Sequence, residues 1–512
     1  MMSLRTGRRA RQAPDTSTPP RSHAYRQMRH PFEPQRVFSD DAIANMHQMA
    51  LRALSELGMK ILLPEARKLF GGAGALVDDS SQMVRIGPEL VAAALATAPS
   101  SIRLRAPNPE REQWFEPGAM LFSAGAGCPN TIDAVRGRQA GCLQTFEETL
   151  KLVQSFDAIH ILGPSAEPQD VPPHLRHYAM MQAQLSISDK PTFIYARGKK
   201  QISQSLEMIA LGHGLSDDEL RNGSWSYSII NTNSPRQIDV PMAEGIIEMA
   251  RAGQMTIITP FCLAGAMAPI TVAGALVLQH AEALAAITLS QLTAPGAPVT
   301  YGGFASNVDM KSGSPAFGTP SHMKLTIGSG QLARHIGLPW RSAAGSASNT
   351  SDAQGAGENH MGLWAALQAN ATLTVHSAGW LEGGLSFGYE KFINDMEAVQ
   401  QLAEMAMPTP EDQASLGWDA LADVDPGGHF FATQHTMDRY RDAFYAPVVA
   451  DLSNHGAWVE AGSQTSTERA VDVWQGILRD FAPPPSAAGM ADRLKAFVDE
   501  GTKAGGAPPT EG

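Results

Sequence analysis

Eight short apolar segments, each running into a Gly-, Ser- or Pro-rich stretch, recur through the middle of this 512-residue chain. They are Met120-Leu-Phe-Ser-Ala-Gly, Ile159-His-Ile-Leu-Gly-Pro-Ser, Thr192-Phe-Ile-Tyr-Ala-Arg-Gly, Trp225-Ser-Tyr-Ser-Ile-Ile-Asn, Thr256-Ile-Ile-Thr-Pro-Phe, Pro298-Val-Thr-Tyr-Gly-Gly-Phe, Trp340-Arg-Ser-Ala-Ala-Gly and Thr372-Leu-Thr-Val-His-Ser-Ala-Gly. Their centres lie about 30 to 43 residues apart, room for one strand, one helix and two loops. Eight such units predict an α/β fold built on a closed (β/α)8 TIM barrel over residues 119–390. In barrels of this kind the chemistry sits where the strands end, so the residues after each segment are the ones to inspect.

The flanks read differently. Residues 1–25 are polar, Pro-rich and basic between Arg5 and Arg11, which predicts a disordered tail. Residues 26–118 mix a helical pattern (Ile43, Met46, Ala50, Leu54, Leu57, closed by Gly58) with short apolar pieces, an N-terminal α+β cap. Residues 391–482 form a C-terminal helical extension, and 483–512 a mostly flexible tail after Pro483-Pro-Pro. Thr145 and Glu148 have the spacing of a capping box opening the first barrel helix.

Charge and cysteines narrow the function. A net charge of −12 argues against nucleic acid as a partner. Ala252–Ala281 carries no charge, yet Pro260 and Pro269 interrupt it, so it reads as a strand and a buried helix rather than a membrane span. Cys128, Cys142 and Cys262 make neither a disulfide framework nor a metal-ligand pattern, so no metal site and a cytoplasmic location are expected.

Aromatic residues gather at or just beyond the segment ends: Phe122, Tyr195, Tyr227, Phe261, Tyr301, Phe304, Trp380 and Phe387. Ring faces lining a pocket suit a quaternary ammonium, a cation with no hydrogen bonds to offer. Ordinary core packing would place rings there too. The stretch from Gly345 to His360 is the richest in polar groups. Within it Asp352, Gln354 and Glu358 are candidates for catalysis, and so is His376 after the eighth segment. Gly345, Ser346, Asn349 and His360 are candidates for contacting a cofactor, though a solvated loop has the same composition. Arg197, Arg341 and His376 are possible anchors for a substrate carboxylate. His280 and Glu282, two residues apart on a helix, do not share a face.

Several longer motifs resemble one family. They are Leu263-Ala-Gly-Ala-Met-Ala-Pro-Ile-Thr-Val-Ala-Gly-Ala-Leu, Ala281-Glu-Ala-Leu-Ala, Gln291-Leu-x-x-Pro-Gly-x-Pro, Tyr301-Gly-Gly, Asp352-Ala-Gln with Glu358, Tyr389-Glu-Lys, Pro426-Gly-Gly-His-Phe and His435-Thr. Together they resemble the trimethylamine methyltransferases from about Met28 to Phe481. That resemblance implies a TIM-barrel enzyme moving a methyl group from an amine to the Co(I) corrinoid of a separate carrier protein, with no corrinoid permanently bound. The archaeal trimethylamine enzymes carry pyrrolysine; this chain has only standard residues, and Gly345–Asp352 is where a replacement is expected.

A quaternary amine needs no proton to leave, so the resemblance to pyrrolysine-free relatives points to glycine betaine as donor. The alternatives are proline betaine, carnitine, choline, dimethylsulfoniopropionate or trimethylamine in the same chemistry, or a barrel that binds a betaine without transferring anything. A homo-oligomer is expected from the apolar helices and the extension.

Overall fold

Seven of the eight segments form strands of one parallel sheet: β1 (Leu121–Phe122), β2 (Thr192–Phe193), β3 (Ser226–Ile230), β4 (Met255–Ile258), β5 (Val299–Gly302), β6 (Trp340–Ala343) and β7 (Leu373–Val375). The computed structural model describes residues 24–511, so nearly all of the tail assigned to 1–25 lies outside the described residues. The strand order is β1-β7-β6-β5-β4-β3-β2. Each neighbouring pair is parallel, as crossover helices require.

Pairing fixes which residues face inward. Tyr227 lies opposite Met255, Ile257 opposite Thr300, Gly302 opposite Arg341, and Arg341 opposite Leu373. Side chains alternate along a strand, so these residues share the concave face. The apolar ones among them form one cluster with Ile161, Phe193 and Val375. The hairpin Ile102–Leu104/Gln113–Phe115 caps its N-terminal end, inserting Ile102, Leu104 and Phe115 into that cluster.

The expected closed barrel is not formed. The segment Ile159–Ser165 lies between β1 and β2 but makes no strand. Side chains occupy the groups a ladder would need. Phe122 N–H donates to the His160 ring at 3.0 Å, and the His160 carbonyl accepts the Tyr25 hydroxyl at 2.6 Å. What remains is His160 N–H to the Phe122 carbonyl at 2.9 Å and Leu162 N–H to the Pro191 carbonyl at 3.1 Å. The sheet is therefore curled and seven-stranded, with an irregular segment along its gap.

Helices cover the convex face: α1 (Leu143–Gln154), α2 (Arg176–Ile187), α3 (Lys199–His213), α4 (Val240–Arg251), α5 (Val272–Thr293), α6 (Pro320–His335), α7 (Ala353–Gln368) and α8 (Tyr389–Met405). Among the described residues α5 alone is long and apolar enough to cross a bilayer, and most of it is buried. It packs against α4 and against Asp40–Arg52 and Pro88–Thr97 of the N-terminal region. At the start of α1 the cap is Cys142 with Thr145, not Thr145 with Glu148. Glu148 instead pairs with Arg136 at 2.9 Å and accepts the Tyr389 hydroxyl at 2.6 Å.

Beyond α8, α9 (Ser466–Asp480) packs on α8 and α1, and α10 (Met490–Lys503) packs on α2 and α3. The last residues, expected to be mostly flexible, are docked. Ala507 is fully buried and its N–H donates to the His174 carbonyl at 2.8 Å. Thr510 N–H donates to the Arg197 carbonyl at 3.0 Å, and its hydroxyl to Glu244 at 2.8 Å.

On α8 the Lys391 ammonium pairs with Asp395, both groups essentially out of water. The same carboxylate accepts Gly379 N–H at 2.9 Å, tying α8 to the loop after β7. Removing one partner of a buried pair strands the other charge. Asp395→Ala should therefore cost about 3–5 kcal/mol of stability in urea denaturation.

Candidate active site

A cavity of about 420 Å³ opens at the C-terminal ends of the strands. That volume is in the range of small-molecule sites. Tyr195 and Arg197 come from the turn after β2, Phe261 from that after β4 and Phe304 from that after β5. Arg341 belongs to β6 itself, while His376 and Trp380 follow β7.

Phe304 is the hub of the rings. Its centroid lies 4.8 Å from Phe261, 5.3 Å from His376 and 6.1 Å from Trp380. Trp380 stacks on His376 at 4.4 Å. Two glycines seat the indole. A Cβ on Gly345 (φ +100°) would come within 2.3 Å of one edge, and a Cβ on Gly384 (φ +106°) within 2.5 Å of the other. Only a residue without a side chain fits at either place.

Arg341 faces the cavity from below, 2% exposed, with its guanidinium 4.4 Å over the Phe304 ring. Among the described residues neither its Nε nor its Nη1 has a hydrogen-bond partner. The third nitrogen, Nη2, is 3.3 Å from His376 Nε2. His376 Nδ1, however, is positioned to accept Ala126 N–H at 3.2 Å. We assign the imidazole proton to Nε2 on that ground, which leaves Nε2 unable to accept from arginine. Burial, and secondarily the arginine, holds the His376 pKa well below its usual value, so the ring is neutral. Burial likewise pushes Arg341 down to about 9, still cationic at neutral pH. The cavity thus holds a buried cation with no acceptor beside a wall of rings.

Comparison with known proteins gives this site a family. A model described as trimethylamine methyltransferase matches residues 4–506. The glycine betaine methyltransferase of Desulfitobacterium hafniense (strain Y51) is 33% identical over 464 residues, 90% of this chain and 96% of that one. A trimethylamine methyltransferase from another strain of that species is 29% identical, covering 90% and 93%. The chain belongs to the trimethylamine methyltransferase family. It is also similar, at 9% identity and a TM-score of 0.46, to the monomethylamine methyltransferase of Methanosarcina barkeri, covering 90% of this chain and 92% of that one.

In this family member the residues singled out from sequence divide into three groups. Tyr195, Arg197, Phe261, Phe304, His376 and Trp380 meet around the cavity, as does Arg341. Tyr301 and Phe387, expected at the mouth, are elsewhere. Tyr301 pairs with Trp340 on the convex face, and its hydroxyl accepts Gln279 Nε2 at 3.1 Å from α5. Phe387 is fully buried against Phe392 and Tyr389.

The third group is the polar stretch after β6, none of which lines the cavity. Asp352 caps α7, accepting Gly355 N–H at 2.9 Å. Glu358 clamps the loop: it accepts the Ser346 hydroxyl at 2.6 Å, Ala347 N–H at 2.8 Å and Gln354 Nε2 at 2.8 Å. His360 Nδ1 lies 2.8 Å from the Ala356 carbonyl, and Asn349 is exposed. Gly345 serves the site by leaving space for Trp380. Among the lining residues that escaped the sequence reading are Asn231, sharing the inward parity of Tyr227 and Ile229, and Met242 on α4. His280 bonds His47 at 2.9 Å, whereas Glu282 accepts Ser234 at 2.6 Å, so the two face different neighbours.

A clamp and a catalyst respond differently to truncation. Glu358→Ala removes three hydrogen bonds and should cost about 2–4 kcal/mol in urea unfolding. Calorimetry on the same variant should find affinity for a betaine within about threefold of wild type. A collapse of affinity in a stably folded variant would place Glu358 at the ligand after all.

Proposed function

We propose that this chain transfers a methyl group from a carboxylate-bearing quaternary amine, glycine betaine first, to the Co(I) corrinoid of a separate carrier protein. The observation that carries the reading is Arg341: a buried cation without an acceptor, in contact with an aromatic wall. A zwitterion answers both halves. Its carboxylate satisfies the guanidinium through charge-assisted hydrogen bonds, and its trimethylammonium lies against Phe304, Phe261 and Trp380. A cation lacking the carboxylate would meet Arg341 uncompensated. Choline and trimethylamine are thereby disfavoured against glycine betaine, proline betaine, carnitine and dimethylsulfoniopropionate.

The corrinoid, as methyl acceptor, supplies a strong cobalt nucleophile for in-line displacement. The carbon–nitrogen bond breaks with its electron pair staying on nitrogen, so glycine betaine leaves as dimethylglycine with no proton transferred. The residues of this chain therefore need only hold, orient and dry the donor. Neutral His376 keeps Nε2–H toward the anion site and braces Trp380 by stacking. Trp380, seated by Gly345 and Gly384, cannot turn away from the cation. Tyr195 and Arg197, 4.8 Å apart as a ring–guanidinium pair, stand at the rim where the acceptor approaches. A Co(I) acceptor survives only in a reducing compartment, which favours a cytoplasmic setting.

The test is methyl transfer from glycine betaine to free cob(I)alamin, followed by loss of the Co(I) absorption. No reaction with any betaine would defeat the proposal. Arg341→Met should raise KM for glycine betaine about 10- to 150-fold, the worth of a hydrogen bond to a charged group. Because the Arg341 Nε and Nη1 have no hydrogen-bond partner among the described residues, the same variant should unfold at no lower urea concentration than wild type. Loss of stability without loss of affinity would make Arg341 structural instead.

A further inference from the structure

Residues 504–510 read Ala-Gly-Gly-Ala-Pro-Pro-Thr, a run with little apolar bulk to bury. Its seat is nevertheless made of specific bonds. The Gly506 carbonyl accepts Lys200 Nζ at 3.0 Å, and the Ala507 carbonyl accepts the buried Gln201 amide at 2.8 Å, both from the first turn of α3. Pro508 and Pro509 then carry the chain onward with a fixed φ and no N–H that would need a partner. Thr510 closes the run with two bonds, its N–H to the Arg197 carbonyl at 3.0 Å and its hydroxyl to Glu244 of α4 at 2.8 Å. Gly198 makes room for it: a Cβ there would come within 2.5 Å of the Thr510 hydroxyl oxygen and 3.0 Å of its nitrogen.

These bonds reach the back of the active site. Tyr195 and Arg197 line the active-site cavity and also a niche of about 30 Å³ that Pro509 borders, so they partition the two. Glu244 stands two residues beyond Met242, which lines the active-site cavity from α4. Thr510 thus links the turn after β2 to α4, the two elements that carry Tyr195, Arg197 and Met242. Arg341, Phe304, His376 and Trp380 come from β5 to β7 and the turns after them, and among the described residues no hydrogen bond of 504–510 reaches that part of the wall. We propose, resting on the reading of the Tyr195–Arg197 rim as the acceptor's approach, that 504–510 is a positioning strap, with Thr510 holding that rim and α4 at the spacing the methyl acceptor needs to meet the donor. Thr510 does not line the cavity and acts through Tyr195 and Arg197. A long rim side chain has many rotamers, and fixing the backbone beneath it narrows where its guanidinium can stand. In-line transfer is sensitive to that, since a misplacement of about 1 Å can cost about 100-fold in rate.

Thr510→Pro removes both bonds, and Thr510→Ser keeps both. Hydrogen exchange over residues 195–198 of the full chain needs no turnover; Thr510→Pro should quicken it about tenfold, and Thr510→Ser should match wild type. In transfer from glycine betaine to free cob(I)alamin, Thr510→Pro should lower kcat/KM for the acceptor about tenfold. Its calorimetric affinity for glycine betaine should stay within about threefold of wild type, with the urea midpoint unchanged. Should that variant fail to fold, Glu244→Ala, which takes away the acceptor of the Thr510 hydroxyl, should show the same split at about threefold. Unchanged exchange overturns the strap, and so does an undiminished acceptor kcat/KM in a variant whose exchange has risen. A parallel fall in donor affinity and urea midpoint, the mark of a merely structural role, overturns it too. A wild type that transfers no methyl group defeats the substrate reading instead, and the exchange comparison then still decides whether Thr510 orders the turn.

Discussion

A guanidinium buried without an acceptor is the constraint around which this site is arranged. Removing such a charge from water costs several kcal/mol unless an anion or hydrogen-bond acceptors compensate it. The Arg341 surroundings supply a ring face and a histidine proton instead. The deficit is tolerable because the rest of the fold supplies ample burial, from the fully buried stretch of α5 to the interior of the curled sheet. An anion entering the cavity recovers at binding what folding left unsatisfied. On the proposed reading, binding energy of that kind would orient a small donor whose cationic end offers no hydrogen bonds.

The gap in the sheet and the cavity belong to one design. The segment along the gap contributes Pro164 to the cavity wall, and its Leu162 carbonyl accepts the Tyr227 hydroxyl from the inward face of β3. A regular strand there would commit those groups to a ladder. Instead the Tyr25 hydroxyl and the His160 ring take the ladder positions. Both come from residues that a strand-counting argument treats as incidental.

What could be read from the sequence follows the distinction between periodicity and parity. Spacing located seven strands and their C-terminal ends, because a βα unit imposes its length on the chain. It did not reveal which way a residue points. Tyr301 and Phe304 sit three apart at one strand end, yet Tyr301 shares the convex face with Trp340 while Phe304 lies beyond the last ladder pair and turns inward. Arg341 was the clearer signal: a lone charge amid Trp340, Ser342 and Ala343 in a strand expected to be buried must face a partner or a cavity. Ile159–Ser165 has an apolar strand composition, and the tertiary partners of His160 and of the Leu162 carbonyl take the groups a ladder would use.

The polar stretch after β6 shows why composition cannot separate a catalyst from its support. Asp, Gln and Glu serve equally well as reacting groups and as caps or clamps, and only their partners tell. Here the linkage runs through Asn359, a fully buried residue between the ones that drew notice. Its Oδ1 accepts Gly345 N–H at 2.9 Å, and its Nδ2 donates to the Ser377 carbonyl at 3.0 Å. Gly345 is one wall of the Trp380 seat, and Ser377 follows His376, which holds a left-handed backbone (φ +58°) that non-glycine residues seldom adopt. One amide thus joins the ends of β6 and β7 at the two points that set the indole and the imidazole. Glu358, one residue earlier on α7, pins the loop that continues from Gly345. On the proposed reading, the first turns of α7 stand one layer removed from the donor, supporting the residues that set Trp380 and His376.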